Sequence, residues 1–147
     1  MNEGAIKELI VADRLRRRAP NKERILSMIE SAQERAAVAK TVPLTEKSAT
    51  LIFCETYEAI RQLGDARWWI NGYEPRDHEV DMDILMELNI KDKTVLFHLP
   101  RFKTIRNDAN YRGYKATLSQ AKEISEFWDK CGDEIARLLC LAANAIR

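Results

Sequence analysis

The segment TLSQAKEISEFWDKCGDEIARLLCLAANAIR, residues 117–147, decides the fold of this chain. Its apolar residues recur at steps of three or four positions, which is the period of an α-helix. Thr117 and Gln120 have the spacing of a capping box, and Gly132 costs a helix interior only about 1 kcal/mol relative to alanine. The segment predicts one long helix whose buried face comprises Leu118, Ala121, Ile124, Trp128, Cys131, Ile135, Leu138, Ala142 and Ala145.

The helical period continues through the preceding chain, which contains only five glycines and four prolines. Asn21 can cap a helix over residues 22–40, and Pro43 ends it. The next helix begins near Thr45 and continues to the tryptophan pair at positions 68 and 69. Adjacent residues on a helix point about 100° apart, so the two indole rings are not expected to face one core. One of them is a candidate for a subunit interface.

Two further helices are predicted between residues 77 and 108. Asp77 can cap a short one that buries Val80, Ile84, Leu85 and Leu88. The second covers residues 92–108, where Pro100 predicts a kink or a second helix start because proline removes a backbone hydrogen bond and clashes with the preceding turn. The alternating pattern of residues 94–99 leaves a short β-strand as an alternative.

Helices of this length joined by short loops pack as antiparallel neighbours. The sequence therefore predicts an all-α, up-and-down antiparallel bundle of four to five helices over residues 20–147, with residues 1–19 as an N-terminal helical extension. The basic residues 14–18 at the end of that extension have two interpretations. They form either a solvated face that complements the dipole of a helix C-terminus or a set of phosphate contacts.

Composition narrows the function classes. The chain has 24 Lys and Arg against 23 Asp and Glu, so its net charge of +1 gives no global reason to bind polyanions. The three cysteines, Cys54, Cys131 and Cys140, lack zinc-ligand spacing and are expected to pack in the core. No metal or cofactor is predicted. No apolar run approaches the ~20 residues needed to cross a bilayer, and a soluble, cytoplasmic protein is the expectation.

Residues 106–111, RNDANY, form a polar interruption of the helical pattern. One interpretation is structural: Asn and Asp cap a helix C-terminus, Gly113 turns the chain, and tyrosines pack over the loop. Nearby, His78 lies among Glu79, Asp81 and Asp83, and this group is interpreted as ordinary charge at a helix N-terminus rather than as a metal site.

The motif pattern resembles the HEPN family of small helical proteins over about residues 22–139. The resemblance rests on Gly72-Tyr73, His78-Glu79, residues 85–88, residues 105–113 and the capped terminal helix. The hallmark of the family is an arginine at the end of the penultimate core helix, usually followed by Asn, Asp or His, with a histidine after four to six further residues. Arg106 and Asn107 match this hallmark. The positions for the histidine hold Tyr111, Arg112 and Gly113.

The resemblance implies a homodimer that places two copies of the motif in a shared cleft. Active members of the family are metal-independent ribonucleases, and many act as toxins of toxin-antitoxin pairs beside a minimal nucleotidyltransferase. It implies catalytic roles for Arg106, Asn107 and Tyr111, and RNA contacts by Arg106, Asn110, Arg112 and Lys115. Tyr111 and Tyr114 are then candidate targets of modification by the nucleotidyltransferase.

The departure from the hallmark bears on catalysis. A tyrosine with an ordinary pKa near 10 is a phenolate in only about one molecule in a thousand at neutral pH, a deficit of roughly 4 kcal/mol for a general base. The nearest histidine before the motif, His98, lies about 12 Å from Arg106 along a straight helix.

Two hypotheses follow from the sequence: a HEPN-like homodimer that binds RNA or a nucleotidyltransferase, and a metal-independent ribonuclease that cleaves through the 2′-hydroxyl. A helical adaptor without nucleic-acid function is a further alternative.

Overall fold

The computed structural model describes all residues, Met1–Arg147, and shows an all-α helical bundle, which confirms the predicted fold class. The helices are α1 (Glu3–Val11), α2 (Lys22–Thr41), α3 (Ala49–Ile70), α4 (Val80–Leu85), α5 (Leu99–Tyr111), α6 (Leu118–Phe127) and α7 (Asp133–Asn144). Two three-residue strands, β1 (Leu15–Arg17) and β2 (Tyr73–Pro75), pair antiparallel. None of the helices combines the length and apolarity that a bilayer crossing requires.

Helix α3 is the centre of the bundle, and 12 of its 22 residues are buried. It contacts α2, α4, α5, α6 and α7, so its apolar residues surround the helix rather than occupying one stripe. Trp68 and Trp69 are both buried in the same core cluster. The prediction that the two rings could not share a core is therefore wrong, because packing partners lie on more than one side of α3. Trp68 donates its indole N–H to the Val80 carbonyl at 3.1 Å, and the Arg24 guanidinium lies 4.5 Å from the Trp69 ring centroid.

The terminal segment forms one continuous helical rod, as its apolar period predicts. The predicted buried face is partly wrong: Leu118 is 44% exposed and Ala145 is exposed, and after the π-helical turn the buried positions are Ile135, Ala136, Leu139 and Ala143. The capping box is present, with the Thr117 side chain accepting from the Gln120 N–H and the Gln120 side chain accepting from the Thr117 N–H. Between α6 and α7, residues Trp128–Gly132 adopt a π-helical turn. A side chain at Gly132 would stand 2.4 Å from the Trp128 ring, so the glycine makes room for this ring inside the rod.

The N-terminal extension differs from the predicted helix. Helix α1 ends at Val11, and the basic residues 14–18 lie in a turn and in strand β1 rather than at a helix C-terminus. Arg14 pairs with Asp77 at 2.7 Å and Arg18 pairs with Glu74 at 2.6 Å. Leu15, between them, is 1% exposed and belongs to the main core. These arginines therefore fasten the strand to the segment that precedes α4.

The segment before α5 resolves the alternatives left open by Pro100. Residues Lys93–His98 form a 3₁₀ helix capped by Asp92, which excludes the alternative of a short strand over residues 94–99. Helix α5 starts anew at Leu99 with Pro100 in its first turn, where a missing N–H does no harm. The second start that Pro100 predicts is confirmed.

Helices α3 and α4 approach each other closely at Gly64. A Cβ added to Gly64 would stand 2.2 Å from the Asp81 carbonyl oxygen, far inside van der Waals contact. Only glycine permits this distance, and it brings Asp81, at 0% exposure, directly against α3.

Candidate functional site

The polar stretch 106–111 is helical, which corrects its interpretation as a turn. Helix α5 continues to Tyr111 and is closed by the Asp108 carbonyl, which accepts hydrogen bonds from the N–H groups of Arg112 and Tyr114. Gly113 follows with φ +70°, a left-handed conformation that favours glycine. Because the stretch is helical, Arg106 and Asn110 are one turn apart on the same face.

A polar cleft of about 360 Å³ opens beside this face of α5. It lies between α3, the segment leading into α4, and α5, and its volume is in the range of sites for small ligands. Four of its lining residues are cationic and two are carboxylates. The lining consists of Tyr57, Arg61, Arg76, Asp77, His78, Glu79, Lys103, Arg106, Asn107 and Tyr111.

Arg106 is held at the inner wall of the cleft by three contacts. Its guanidinium lies 5.6 Å from the Tyr57 ring centroid, and its Nη2 donates to Glu58 Oε1 at 3.4 Å. The Asn110 carbonyl oxygen, turned toward Arg106, accepts from Nε at 3.1 Å and Nη2 at 3.2 Å. The Arg106 side chain is 23% exposed, so its guanidinium is fixed in direction and still accessible from the cleft.

A chain of partly buried charged side chains, ending at the fully buried Asp81, connects Arg106 to helix α4. Glu58 accepts from Arg106 through one oxygen and from Arg61 Nε through the other, at 2.9 Å. Arg61 Nη1 then donates to Asp81 Oδ2 at 3.2 Å. The other oxygen, Asp81 Oδ1, is buried without a hydrogen-bond partner. Burial, which disfavours the charged form, raises the pKa of Asp81 from 3.8 to about 6.

His78 stands at the mouth of the cleft, at the outer end of this chain. Its Nδ1 is 3.0 Å from Arg61 Nη1 and 3.9 Å from Asp81 Oδ2, while its Nε2 makes no hydrogen bond within the protein. The side chain is 72% exposed. The nearby Asp81 carboxylate raises the pKa of His78 above its ordinary value of 6.5.

Three of the four cations in the cleft have long, incomplete ion pairs. Arg106 is 3.4 Å from Glu58, Arg76 is 3.6 Å from Asp13, and Lys103 is 3.9 Å from the Glu79 carboxylate. Charge-assisted hydrogen bonds normally measure 2.7–2.9 Å. These donors therefore retain capacity for an anion, whereas Arg61 already donates to Glu58 and to Asp81.

The structure gathers part of the predicted site. Arg106, Asn107 and Tyr111 line the cleft together, and Asn110 supports Arg106. The remaining predicted residues, Arg112, Tyr114 and Lys115, are exposed after the end of α5 and do not line it. His98 lies in a different depression, with its Nδ1 3.3 Å from Glu123 and its ring stacked on Phe102.

The sequence interpretation missed the opposite wall. His78 was assigned to ordinary helix charge, and Tyr57, Arg61, Arg76 and Lys103 carried no functional prediction. A local signal existed for Lys103, which lies three residues before Arg106 and therefore on the same helical face. For the other side chains no local signal exists, because they come from elements separated by tens of residues.

A larger groove of about 470 Å³ lies between α2 and α3, but it has fewer cationic side chains than the polar cleft. Its lining is mostly apolar, and its only cation, Arg35, pairs with Glu55 at 3.0 Å. Glu34 adds a second carboxylate, so this groove is unsuited to an anion.

The cysteines and the acidic residues form neither a reactive thiol site nor a metal-binding cluster elsewhere in the structure. Cys131 is buried, and burial raises the pKa of its thiol to about 12, which suppresses thiolate reactivity. Burial likewise raises the pKa of Cys54 and Cys140. No three side chains of the metal-ligating types lie together in an arrangement that could hold an ion.

We expect Asp81→Asn to change how stability depends on pH. The folded protein binds the Asp81 proton more tightly than the unfolded chain, whose carboxyl titrates near 3.9, so this group weakens the wild type progressively from about pH 4 to pH 6. Asparagine does not titrate. The free energy of unfolding of the variant, relative to wild type, should rise by up to about 3 kcal/mol over this interval.

Urea denaturation between pH 4 and pH 8 measures this difference. The control is Asp83→Asn, which makes the same substitution at an exposed position of the same helix. A flat difference for Asp81→Asn would contradict the raised pKa.

Comparison with known proteins identifies no relative of this chain. No family model matches it, and neither a curated protein nor a solved structure does. Functional inference therefore rests on the geometry of the cleft and on the sequence motif.

Proposed function

We propose that the cleft beside Arg106 binds the phosphate backbone of single-stranded RNA. The observation that carries this proposal is the group of three cations, Arg76, Lys103 and Arg106, whose donors converge on one cleft with long, incomplete ion pairs. A phosphate oxygen can approach such donors to about 2.8 Å, closer than the present carboxylates. The arginine fork also suits bidentate contact with a phosphate.

Exposed side chains extend this surface past the end of α5. Tyr111 is 79% exposed at the rim and Tyr114 is 60% exposed three residues later, which suits stacking against unpaired bases. Arg112 and Lys115 lie beside them and add positive charge. Stacking and phosphate contact together favour a single strand over a duplex.

We further propose, on the sequence resemblance alone, that the protein is a HEPN-like homodimer of a toxin-antitoxin type system, with a minimal nucleotidyltransferase as partner. The exposure of Tyr111 and Tyr114 leaves both hydroxyls accessible to such an enzyme. Light scattering and co-purification with the product of an adjacent nucleotidyltransferase gene test the two partners.

Metal-independent RNA cleavage is the second candidate function. The observation that favours it is a titratable imidazole, His78, in the same cleft as Arg106, Asn107 and Tyr111. A phosphate held by Arg106 would have both a cation for its developing charge and a nearby proton acceptor.

We expect Arg106→Ala to weaken RNA binding at least about tenfold, because one charge-assisted contact contributes about 1.5–3 kcal/mol. The slope of log affinity against log salt should fall by about 0.7, the value for one phosphate contact on a single strand. Fluorescence anisotropy with a labelled 12-nucleotide RNA at 50–300 mM salt measures both quantities.

The matched control is Arg101→Ala, which removes the same side chain from the same helix. Arg101 pairs with Glu123 and does not line the cleft, so affinity should stay within twofold of wild type. Equal affinity of wild type and Arg106→Ala, or no binding at 50 mM salt, would overturn the proposal.

A further inference from the structure

His78 and Asp81 form an imidazole–carboxylate pair that the hallmark motif does not contain. His78, in the segment that leads into α4, lines the same cleft as Arg106 of α5, whereas Asp81 of α4 is buried and does not line it. The orientation of the His78 ring is set by its contacts on one side. Nδ1 faces Arg61 and Asp81, and Nε2 has no hydrogen-bond partner in the protein. An exposed ring with one nitrogen anchored and the other free is the arrangement of a proton-transfer group.

Asp81 has features that packing alone does not explain. Its carboxylate is 0% exposed, one oxygen has no hydrogen-bond partner, and the approach of α4 to α3 depends on the missing side chain of Gly64. A buried carboxylate with an unsatisfied oxygen destabilises a fold by about 1–3 kcal/mol or more. Such groups concentrate at functional sites, where they orient a neighbour.

We propose that His78 is the general base of this cleft and that Asp81 is its positioning residue; the inference rests on the proposed binding of RNA at Arg106. His78 Nε2 takes the proton of a ribose 2′-hydroxyl. The O2′ lone pair then forms a bond to phosphorus while the bond from phosphorus to the 5′-oxygen breaks. The departing 5′-oxygen receives a proton from water, and the His78 imidazolium returns its proton to the hydroxide that remains. The products are a 2′,3′-cyclic phosphate and a 5′-hydroxyl end.

The reaction requires the tautomer of His78 that carries its proton on Nδ1. In that tautomer Nδ1–H donates to Asp81 Oδ2, and Nε2 presents its lone pair to the cleft. The present separation of 3.9 Å closes to hydrogen-bond length with a movement of about 1 Å, which is common when a catalytic site receives its substrate. Arg61 Nη1 can only donate, so at 3.0 Å Nδ1 accepts from it and the proton of a neutral ring is on Nε2. The reacting tautomer forms when the ring turns away from Arg61, whose bonds to Glu58 and Asp81 keep it in place.

Arg106 has the complementary role of stabilising the charge that builds on the phosphate. Its guanidinium is fixed by Tyr57, Glu58 and Asn110, so it needs little rearrangement when the phosphate becomes more negative. Tyr111 is then a stacking residue at the rim of the cleft and not its base.

The proposal predicts a pH dependence. Cleavage should rise with pH until His78 is neutral and level off above its raised pKa. In Asp81→Asn the midpoint should move to lower pH, because the carboxylate that favours the imidazolium is gone. The charged or titratable groups around the ring are Glu58, Arg61 and Asp65 from α3, Arg76, Asp77 and Glu79 from the segment before α4, Asp81 from α4, and Lys103, Arg106 and Tyr111 from α5.

The test compares the two histidines of the chain in an RNA cleavage assay with chelator present. The substrate is a 5′-labelled single-stranded RNA, with the all-deoxy oligonucleotide of the same sequence as a chemical control that lacks the nucleophile. His78→Ala should reduce the cleavage rate at least about 100-fold and leave RNA affinity within threefold. His98→Ala should match wild type, since His98 lies outside the cleft. Added imidazole should restore part of the activity of His78→Ala but not of Arg106→Ala.

Tyr111→Phe separates this proposal from a tyrosine base, because it keeps the stacking ring and removes only the hydroxyl; any loss of cleavage should be far smaller than that of His78→Ala. The inference is overturned if His78→Ala cleaves like wild type, if Tyr111→Phe alone abolishes cleavage, or if the midpoint of the pH profile is unchanged in Asp81→Asn. Wild-type protein that binds RNA through Arg106 without cleaving it overturns this inference and leaves the proposed binding function intact. Absence of binding overturns both.

Discussion

Gly64→Ala is expected to lower the free energy of unfolding by about 3 kcal/mol, the upper end of the usual range for overpacking. The new Cβ would stand 2.2 Å from the Asp81 carbonyl oxygen and 2.7 Å from its carbonyl carbon. Backbone atoms cannot rotate aside, so α4 must move away from α3. This loss of stability outweighs the gain of about 1 kcal/mol that a change from glycine to alanine usually brings in a helix interior.

Thermal unfolding followed by circular dichroism measures the effect, expected as a decrease of about 6–12 °C in Tm for a chain of this size. Gly4→Ala is the matched control, because its Cβ would meet only the Asn2 side chain at 3.5 Å and should leave Tm unchanged or slightly raised. A Gly64→Ala protein as stable as wild type would show that α4 can shift freely. The position of Asp81 would then not be fixed by this contact.

Phe102→Ala is expected to lower the free energy of unfolding by about 3–5 kcal/mol. Phe102 is 0% exposed, and its ring makes edge contacts with Phe53 at 6.0 Å and Phe127 at 5.5 Å between centroids. Apart from Leu99, it is the only buried residue of α5. The substitution therefore removes the main anchor of the helix that carries Arg106.

Urea denaturation at constant pH measures the loss, and Phe97→Ala provides the control. Phe97 is 71% exposed in the preceding 3₁₀ helix, so its removal should change stability by less than about 0.5 kcal/mol. A cost below about 1 kcal/mol for Phe102→Ala would indicate that α5 is held by contacts other than this aromatic cluster.

The sequence predicted most of the fold because the signals that specify a helix lie within a few residues of one another. The apolar period of residues 117–147, the capping box at Thr117 and the restart at Pro100 each depend on residues fewer than five positions apart, and the structure agrees with all three. Errors arose where long-range packing overrode the local pattern. Leu15 lies in a strand because its partner is β2, some sixty residues later. Trp68 and Trp69 are both buried because α3 is surrounded.

The residues of the candidate site likewise fall into those that the sequence predicted and those that it did not. Arg106, Asn107 and Tyr111 were predicted together from the resemblance to a family motif that is contiguous in the sequence, and they line one cleft because this stretch belongs to one helix. His78, Arg61 and Asp81 were not found, since their proximity depends on how α3, α4 and α5 pack. His78 and its acidic neighbours are visible in the sequence. The residues next to it do not show whether this histidine faces a cleft or bulk solvent.

The sequence by itself determined that the chain is a helical bundle with a polar motif at the end of its penultimate long helix. Side-chain periodicity and capping act over one or two turns, and this range suffices to specify each helix. Only the tertiary structure decided what stands opposite the motif. The close approach at Gly64 brings the buried Asp81 carboxylate, and with it His78, to the cleft that Arg106 lines, because contacts between distant segments form only when the whole core is assembled.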